Sequence, residues 1–398
     1  MVRSSSSAAN TISDLPQQSA PAVPPPPSPV SLSSLSRFFF TAAATTSKHH
    51  LLPQELKAKR KSINKAMEVI EDVVIVGAGI AGLTTSLGLY RQGIRSLVLE
   101  SSDSLRITGF ALLTWTNAWK ALDAVGIGDS LRQRHELLRG NVTSSTISGL
   151  QTSKMSFVAK GKHGEHEVRC LRRKLLLEAL ANELPSGTIR YSSKVVSIEE
   201  SGYFKLIHLA DGNIIKTKVL IGCDGVNSVV AKWLGFKKPA FTGRSGFRGC
   251  ANFNTKHDFK PMLMQFFGHE RELEEDKPEL TRQYVMSKLG NIPEQVRAVI
   301  ENTELDAFLS SPLRYRHPWE LLWGNISKGN VCVAGDALHP MTPDLGQGGC
   351  SALEDGFVLA RCLEGNGKII SFLRDKFFAP VLADLQLKRA DFDCGKII

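Results

Sequence analysis

Residues Asp72 to Glu100, DVVIVGAGIAGLTTSLGLYRQGIRSLVLE, decide the fold. Val73 to Val76 is a β-branched run with no polar break, as expected of a parallel strand buried on both faces. Gly77, Gly79 and Gly82 follow as GxGxxG. In that pattern the first glycine permits a tight turn and the second lets backbone N–H groups approach a pyrophosphate. The third lets the helix lie close to the strand. The opening helix adds partial positive charge where a diphosphate would lie. Arg95 to Leu99 (RSLVL) predicts a second strand. Glu100, 18 residues beyond Gly82, then stands where a carboxylate accepts hydrogen bonds from an adenosine ribose. An acid there suits an unphosphorylated ribose, so FAD or NAD fits better than NADP. Glycines alone would be an ordinary turn. Strand, glycines, helix, strand and acid arriving in order within 29 residues are a far more specific signal.

Further along, Leu171 to Glu183 (LRRKLLLEALANE) has helical spacing, with Leu175, Leu176 and Leu180 as its apolar face and Arg172 and Arg173 at its start. Ile189 to Ile198 and Phe204 to Leu209 alternate as strands, and Asp211-Gly212-Asn213 turns into a strand from Ile214 to Val219. The apolar run up to Gly222 enters Cys223-Asp224-Gly225-Val226-Asn227-Ser228. That sets an acid and a flexible backbone at the carboxyl edge of a sheet, where doubly wound folds bind ligands. A last strand, Gly329 to Ala334, leads into GDALHPMTPDLGQGG at 335–349 and a helix starting near Cys350. An acid directly after a strand can hold a polyol hydroxyl. A glycine-rich helix start can approach a flat ring and stabilise negative charge on it. Together Asp336 and the Gly346 to Gly349 turn suit a flavin.

The first 66 residues belong to no domain of this kind. They are rich in Ser, Ala and Pro, with prolines at 24–27, and up to Pro53 they hold one acid, Asp14. This is the composition of an organelle transit peptide, plastid type, which places the protein in the chloroplast. A disordered tail without an address, or translation starting at Met67 and a cytoplasmic protein, remain the alternatives. Of the net charge of +10, a surplus of six lies in this tail, which has eight Lys/Arg and two Asp/Glu. Its cluster Lys57, Lys59, Arg60 and Lys61 has no interleaved aromatics and reads as a solvated linker, so no nucleic-acid partner is expected. Seven scattered cysteines without a CxxC argue against a disulfide scaffold and a zinc site. His163 and His166 (HGEH) read as loop residues, and no metal is expected. No apolar run reaches the roughly 18–20 residues needed to span a bilayer.

GAGIAG at 77–82, CDGVNS at 223–228 and GDALHPMTPDLGQGG at 335–349 resemble, in order and spacing, the FAD-dependent aromatic-hydroxylase class of monooxygenases. Within it the chain is most similar to plant monooxygenases related to zeaxanthin epoxidase and to urate-hydroxylase-like proteins. The resemblance covers about residues 71 to 362. It implies an α/β fold: a discontinuous, Rossmann-like FAD-binding domain with an inserted β-rich substrate layer. The expected divisions are 71–240 (FAD-binding, first part), 241–322 (substrate segment, shortened), 323–363 (FAD-binding, third motif and helix) and 364–398 (C-terminal helical tail).

The resemblance further implies that Gly77, Gly79 and Gly82 line the FAD diphosphate and Glu100 the adenine-side ribose. Arg173, in an Arg-x-x-Leu pattern with Leu176, would contact the diphosphate region; a solvated arginine at a helix start is the plain alternative. Asp224 and Gly225 match a motif linked to FAD and the nicotinamide donor. Asp336 would hold the ribityl chain, and Pro343, Gly346, Gly348 and Gly349 would border the isoalloxazine. The implied chemistry is reduction by NAD(P)H, addition of O2 to give a flavin C4a-hydroperoxide, and oxygen transfer to a small aromatic or isoprenoid substrate. The cofactor carries the difficult step, so no catalytic side chain is named. Arg314, Arg316 and His317 could face the substrate, or be ordinary strand residues.

The chain also departs from the class. It has Ala231 where the class usually has arginine, and Cys350 where asparagine is common. It is short between Phe247 and Ser311, where Gln265-Phe266-Phe267-Gly268 passes directly into the charged stretch His269-Glu270-Arg271-Glu272. It is short again near Glu364 to Gly367. These departures leave open a relative that binds FAD without monooxygenase activity. A flavin reductase or dehydrogenase on the same fold is a third reading.

Overall fold

The apolar run before the glycines becomes β1 (Ile70–Val76) of a computed structural model that describes residues 70–106, 111–161, 164–251, 259–267, 278–307 and 309–364. After β1 come α1 (Ile80–Arg91), β2 (Leu97–Leu99), β3 (Ala111–Thr114) and α2 (Thr116–Ala124). A hairpin of β4 (Gly140–Ser145) and β5 (Gln151–Ser156) follows, then β6 (Arg169–Arg172), α3 (Arg173–Asn182) and β7 (Ile189–Arg190). Next are β8 (Val195–Ser201), β9 (Phe204–Leu209), β10 (Ile214–Gly222) and α4 (Val229–Trp233). The later elements are β11 (Ala240–Arg248), β12 (Leu263–Phe267), α5 (Pro278–Lys288) and α6 (Glu294–Glu301). The chain continues through β13 (Leu309–Tyr315), α7 (Pro318–Trp323), β14 (Ser327–Lys328), β15 (Val331–Val333) and α8 (Gly348–Glu364).

The main sheet runs β8-β9-β10-β1-β2-β7, with β15 joined to the last part of β10 and β14 to β15. β1 is central. It pairs in parallel with β10 (Val74 opposite Leu220) and with β2 (Val74 opposite Leu97). β10 is long enough to pair twice along one edge, antiparallel to β9 through Ile214–Thr217 and parallel to β15 through Leu220–Gly222. The parallel strands β1, β2, β10 and β15 therefore all end on one edge of the sheet. That edge carries Gly77, Glu100, Asp224 and Asp336, and in open α/β sheets it is where ligands bind.

Alternation along β1 sends Val73 and Ile75 into one core and Val74 and Val76 into the other. The first core lies under α1 and α8. Every residue from Ile80 to Leu89 is buried, so α1 is enclosed rather than amphipathic. Two glycines permit the close approach of α8. A methyl group on Gly88 would lie 2.6 Å from the Ala360 Cβ, and one on Gly356 would lie 2.8 Å from the Thr84 Cβ and 2.9 Å from the Ala81 carbonyl oxygen. The second core gathers Leu220, Val230, Val331 and Leu338 on the opposite face.

Several expectations are corrected. The alternating run Ile189–Ile198 is not one strand. Ser192 has φ 52°, and β7 and β8 lie at opposite ends of the sheet order. The break is held by Ser192 N–H on the Ser102 carbonyl (2.8 Å) and Ser193 N–H on the Glu100 carbonyl (2.7 Å). The helix expected from Leu171 begins at Arg173, because Leu171 and Arg172 pair with β3. Its buried residues are Leu176, Leu177 and Leu180, with Leu175 half-buried. β11 and β13 form one antiparallel pair, but β12 pairs in parallel with β4 of the earlier hairpin. An ion pair, Arg244 to Asp344 at 2.8 Å, ties β11 to the third motif.

The tail 1–66 with its basic cluster, His163, the stretch His269 to Glu272 and the chain beyond Glu364 lie outside the described residues. Among the described residues no helix is long and apolar enough to cross a membrane, and no cluster of His, Cys, Asp and Glu is arranged for a metal ion.

The α1–α8 contact has no room for a side chain. Gly356→Val is expected to cost about 1–3 kcal/mol by overpacking, and each kcal/mol lowers Tm by about 2–4 °C in a domain of this size. Thermal unfolding followed by circular dichroism measures it.

Candidate cofactor-binding site

The three glycines of the first turn occupy different surroundings. Gly77 has φ 100°, and a Cβ there would lie 2.5 Å from the Cys223 carbonyl oxygen. A Cβ on Gly82 would lie 2.0 Å from the Gly77 carbonyl oxygen. Around Gly79, by contrast, nothing lies within 4 Å of that position. Two glycines are packed by the protein itself. The middle one, which caps α1 without any side-chain partner, faces open space at a helix N-terminus.

Glu100 is buried beside this turn, with one carboxylate oxygen accepting from Ala78 N–H at 2.9 Å. The other accepts from Ser102 N–H at 2.9 Å and from the Ser101 hydroxyl at 3.1 Å. A carboxylate has about four lone-pair sites, so acceptor capacity is left for a hydroxyl.

Asp336 and Arg173 meet across the cleft. Arg173 opens α3, while Asp336 sits in the turn after β15. Asp336 is exposed to solvent although protein surrounds it, the signature of a group on the floor of an open cleft. Those surroundings push its carboxyl above the ordinary value, against the opposing charges of His339, Arg173 and Arg248. Burial likewise pulls Arg173 below its ordinary value; Asp336 opposes this, and Arg248 and Arg106 reinforce it. The Arg173 Nε is buried and has no hydrogen-bond partner. A cleft with an orphaned guanidinium nitrogen, two further arginines and an accessible carboxylate is built for an anionic, hydroxyl-bearing ligand.

The second motif is arranged differently. The Asp224 carboxylate turns toward the start of α4, accepting from Val229 N–H at 2.7 Å, from Val230 N–H at 3.4 Å and from the Ser228 hydroxyl. Protein packs closely around it although part of its surface is open, and this burial raises its carboxyl despite those bonds. Gly225 beside it has φ 77° and open space around its Cα. Burial lifts the Cys223 thiol well above its usual range and raises Cys332 to about 12.

The third motif is fastened to α8 by Asp355. One oxygen of this buried carboxylate accepts both Gly335 N–H (2.9 Å) and the His339 Nε2–H. Burial alone would lower the His339 imidazole, but the adjoining Asp355 charge and hydrogen bond reverse this and hold it above its ordinary value. Beyond it, Gly346 takes φ 63° as the Pro343–Leu345 turn ends, and Gly348 begins α8. Cys350, where the class often has asparagine, accepts Trp115 N–H and donates to the Leu113 carbonyl, both at 3.4 Å. A thiol thus performs both hydrogen-bonding roles an amide would. Asn117 adds a second tie from α2, donating to Glu354 at 2.7 Å and Gln347 at 3.3 Å.

Arg316 does not face a substrate. Its guanidinium is committed to the carbonyls of Leu338 (2.8 Å), Lys237 (3.0 Å) and Ala337 (3.4 Å). Arg314 donates to the Pro239 carbonyl, and His317 packs on Tyr315. Arg106 and Arg248 were missed in the sequence. Nothing local marks them, because they reach Arg173 only through the folded chain.

The FAD binding domain family matches residues 71–274 and 294–366. The chain belongs to this family. It is an FAD-dependent monooxygenase of the aromatic-hydroxylase class. Monooxygenase 2 of Arabidopsis thaliana is 44% identical over 402 residues, covering 82% of this chain and 98% of the relative. That alignment is longer than this whole chain yet takes in only part of it, so the relative holds internal residues with no counterpart here. The chloroplastic zeaxanthin epoxidase of an Oncidium hybrid cultivar is 26% identical, covering 78% of this chain and 50% of the relative. Among solved structures, Klebsiella pneumoniae HpxO complexed with FAD and uric acid has a TM-score of 0.69 at 22% identity, covering 82% of this chain and 88% of that one. That likeness concerns the fold.

The His339–Asp355 bond carries a pH signature. The folded imidazole binds its proton more tightly than the unfolded chain, so its stabilisation is complete below the ordinary value of 6.5 and is lost as pH rises through the higher folded value. The Tm difference between the native protein and His339→Gln, which keeps a donor but cannot titrate, is expected to narrow as pH rises above the ordinary histidine value of 6.5.

Proposed function

We propose that this monooxygenase takes its electrons from NAD(P)H and oxygenates a small aromatic or isoprenoid compound. The observation that carries the cofactor arrangement is that Gly79 has open space around it, while the buried Arg173 Nε has no partner and the nearby Asp336 is accessible. Gly77 and Gly82 shape the turn, and Gly79 admits the FAD diphosphate to the N–H groups of α1. Glu100 accepts from the adenine-side ribose. Arg173 supplies the unpaired Nε to the diphosphate region, helped by the charges of Arg106 and Arg248. Asp336 accepts from the ribityl hydroxyls. Asp224 acts at one remove, fixing the α4 turn so that Gly225 presents bare backbone to FAD and the nicotinamide.

When bound, FAD supplies the redox chemistry, taking a hydride from the nicotinamide and, once reduced, activating O2 so that one oxygen atom enters the substrate and the other leaves as water. The residues of this chain bind, orient and shield. Pro343 and the Gly346–Gly349 turn border the ring, and the N-terminus of α8 stabilises negative charge there. Gln347 is held by Asn117, so the turn is set before substrate arrives. β11 and β13 provide part of the cover that excludes water.

The substrate class is suggested by relatives that include zeaxanthin epoxidase and by the uric acid bound to HpxO. The Ser-, Ala- and Pro-rich residues 1–66 and the chloroplastic relatives favour a plastid location.

A second reading has a specific support. The internal residues missing relative to Monooxygenase 2 favour a flavin binder whose incomplete cover lets oxygen chemistry run unproductively to peroxide.

Anaerobic and then aerobic spectra of the full chain with FAD and NADH or NADPH separate the readings. Bleaching by either donor and recovery in air, followed by label from 18O2 in a product, supports the monooxygenase. Bound flavin that never bleaches, or that reoxidises with peroxide and no oxygenated product, supports the second reading. Gly79→Val and Arg173→Ala are each expected to weaken FAD binding at least tenfold, about 1.4 kcal/mol, measured by quenching of flavin fluorescence.

A further inference from the structure

α7 presents an aromatic surface that the cleft does not use. Trp323 and Trp319, one turn apart, are 75% and 63% exposed, with ring centroids 5.5 Å apart and planes inclined by 24°. The exposure is not the result of a loose helix. Leu321 packs inward against the second core. Before the helix, Arg316 is clamped to three backbone carbonyls and to Glu320. After it, Gly324 lies so close to the Phe236 ring that a Cβ would be 2.7 Å from it. The protein thus presents a stacked indole pair to water from an anchored helix.

Segments joined to α7 carry exposed cations. The Lys237 carbonyl accepts from Arg316, which also holds Glu320 of α7, so the exposed Lys237 and Lys238 lie on the segment joined to α7 through that arginine. Lys328, just beyond α7, reaches over Trp233 at 4.9 Å and pairs with Glu200 at 3.4 Å. The acid on α7 itself, Glu320, is engaged by Arg316 at 3.3 Å. Indoles place an apolar body and a polar N–H at the boundary between hydrocarbon and water, and lysines beside them attract anionic headgroups.

We propose that α7 is a peripheral docking surface for an anionic lipid bilayer, with Trp319 and Trp323 inserted at the headgroup level and Lys237 and Lys238 against the lipid charges. Six residues of helix cannot span a bilayer, so the contact is superficial and salt-sensitive. It is also mechanically continuous with the cofactor edge. β13 leads straight into Arg316, whose guanidinium grips the carbonyls of Ala337 and Leu338 in the third motif. An apolar substrate could then be taken from the bilayer instead of from water. Docking requires neither turnover nor a particular substrate, so it can fail or hold independently of the monooxygenase reading.

The test is flotation of the full-length protein with vesicles of phosphatidylcholine alone, or with about one third phosphatidylglycerol. The native protein, Trp319→Ser/Trp323→Ser and Lys237→Glu/Lys238→Glu are compared. Native protein is expected to float with the anionic vesicles and not the neutral ones. Each double variant is expected to bind at least about fivefold less, with unchanged Tm because the altered side chains are exposed. A blue shift of tryptophan emission on vesicle binding, lost in the tryptophan variant, would support insertion. Equal binding by the variants would overturn the proposal and assign the affinity to another basic segment, such as residues 57–61. No vesicle binding, with native dimers that the tryptophan variant cannot form, would overturn it in favour of a contact between two copies of the chain.

Discussion

The cleft depends on one buried carboxylate. Asp355 accepts the Gly335 N–H and the His339 ring in the interior, so the turn carrying Asp336 cannot move independently of α8. α8 in turn lies against α1 at a glycine-to-side-chain distance on both helices, and α1 starts at the first glycine turn. The Gly77–Gly82 turn, the Asp336 turn and the start of α8 are thereby parts of one packed block. An unpaired charge at this depth would be strongly destabilising, which is why the imidazole opposite Asp355 belongs to the fold as much as to the motif.

Features set by neighbouring residues were legible from the chain alone. β1, α1 and β2 were readable because a β-branched run, GxGxxG and a terminal acid each act within a few positions of themselves. Phe204 to Leu209 alternates and is a strand for the same reason. Ile189 to Ile198 misled because alternation records which face a side chain takes, not which strand lies beside it. The break at Ser192 depends on carbonyls of residues 100 and 102, far away in the sequence. Arg106 and Arg248 were invisible for a related reason. Each is an ordinary exposed arginine until the sheet brings it toward Arg173. The location of the third motif was evident from its acid and glycines, but not the tie between His339 and Asp355 that makes it rigid.

A second sheet joins distant parts of the chain. β12 joins β4 although more than one hundred residues separate them, so that sheet is woven from both sides of the second motif. Asn117 and Arg244 each tie a separate part of the chain to the third motif and the start of α8.

Two cysteines near the cleft, Cys223 buried and Cys332 half-buried, acquire a meaning from the chemistry beside them. A flavoprotein that reduces O2 releases some peroxide within its own walls, and peroxide attacks thiolates, not thiols. Cys223 borders the second motif and Cys332 lies in β15, and burial keeps both protonated far above neutral pH. Sulfur at these positions is packing material that the by-product of the reaction does not readily corrode.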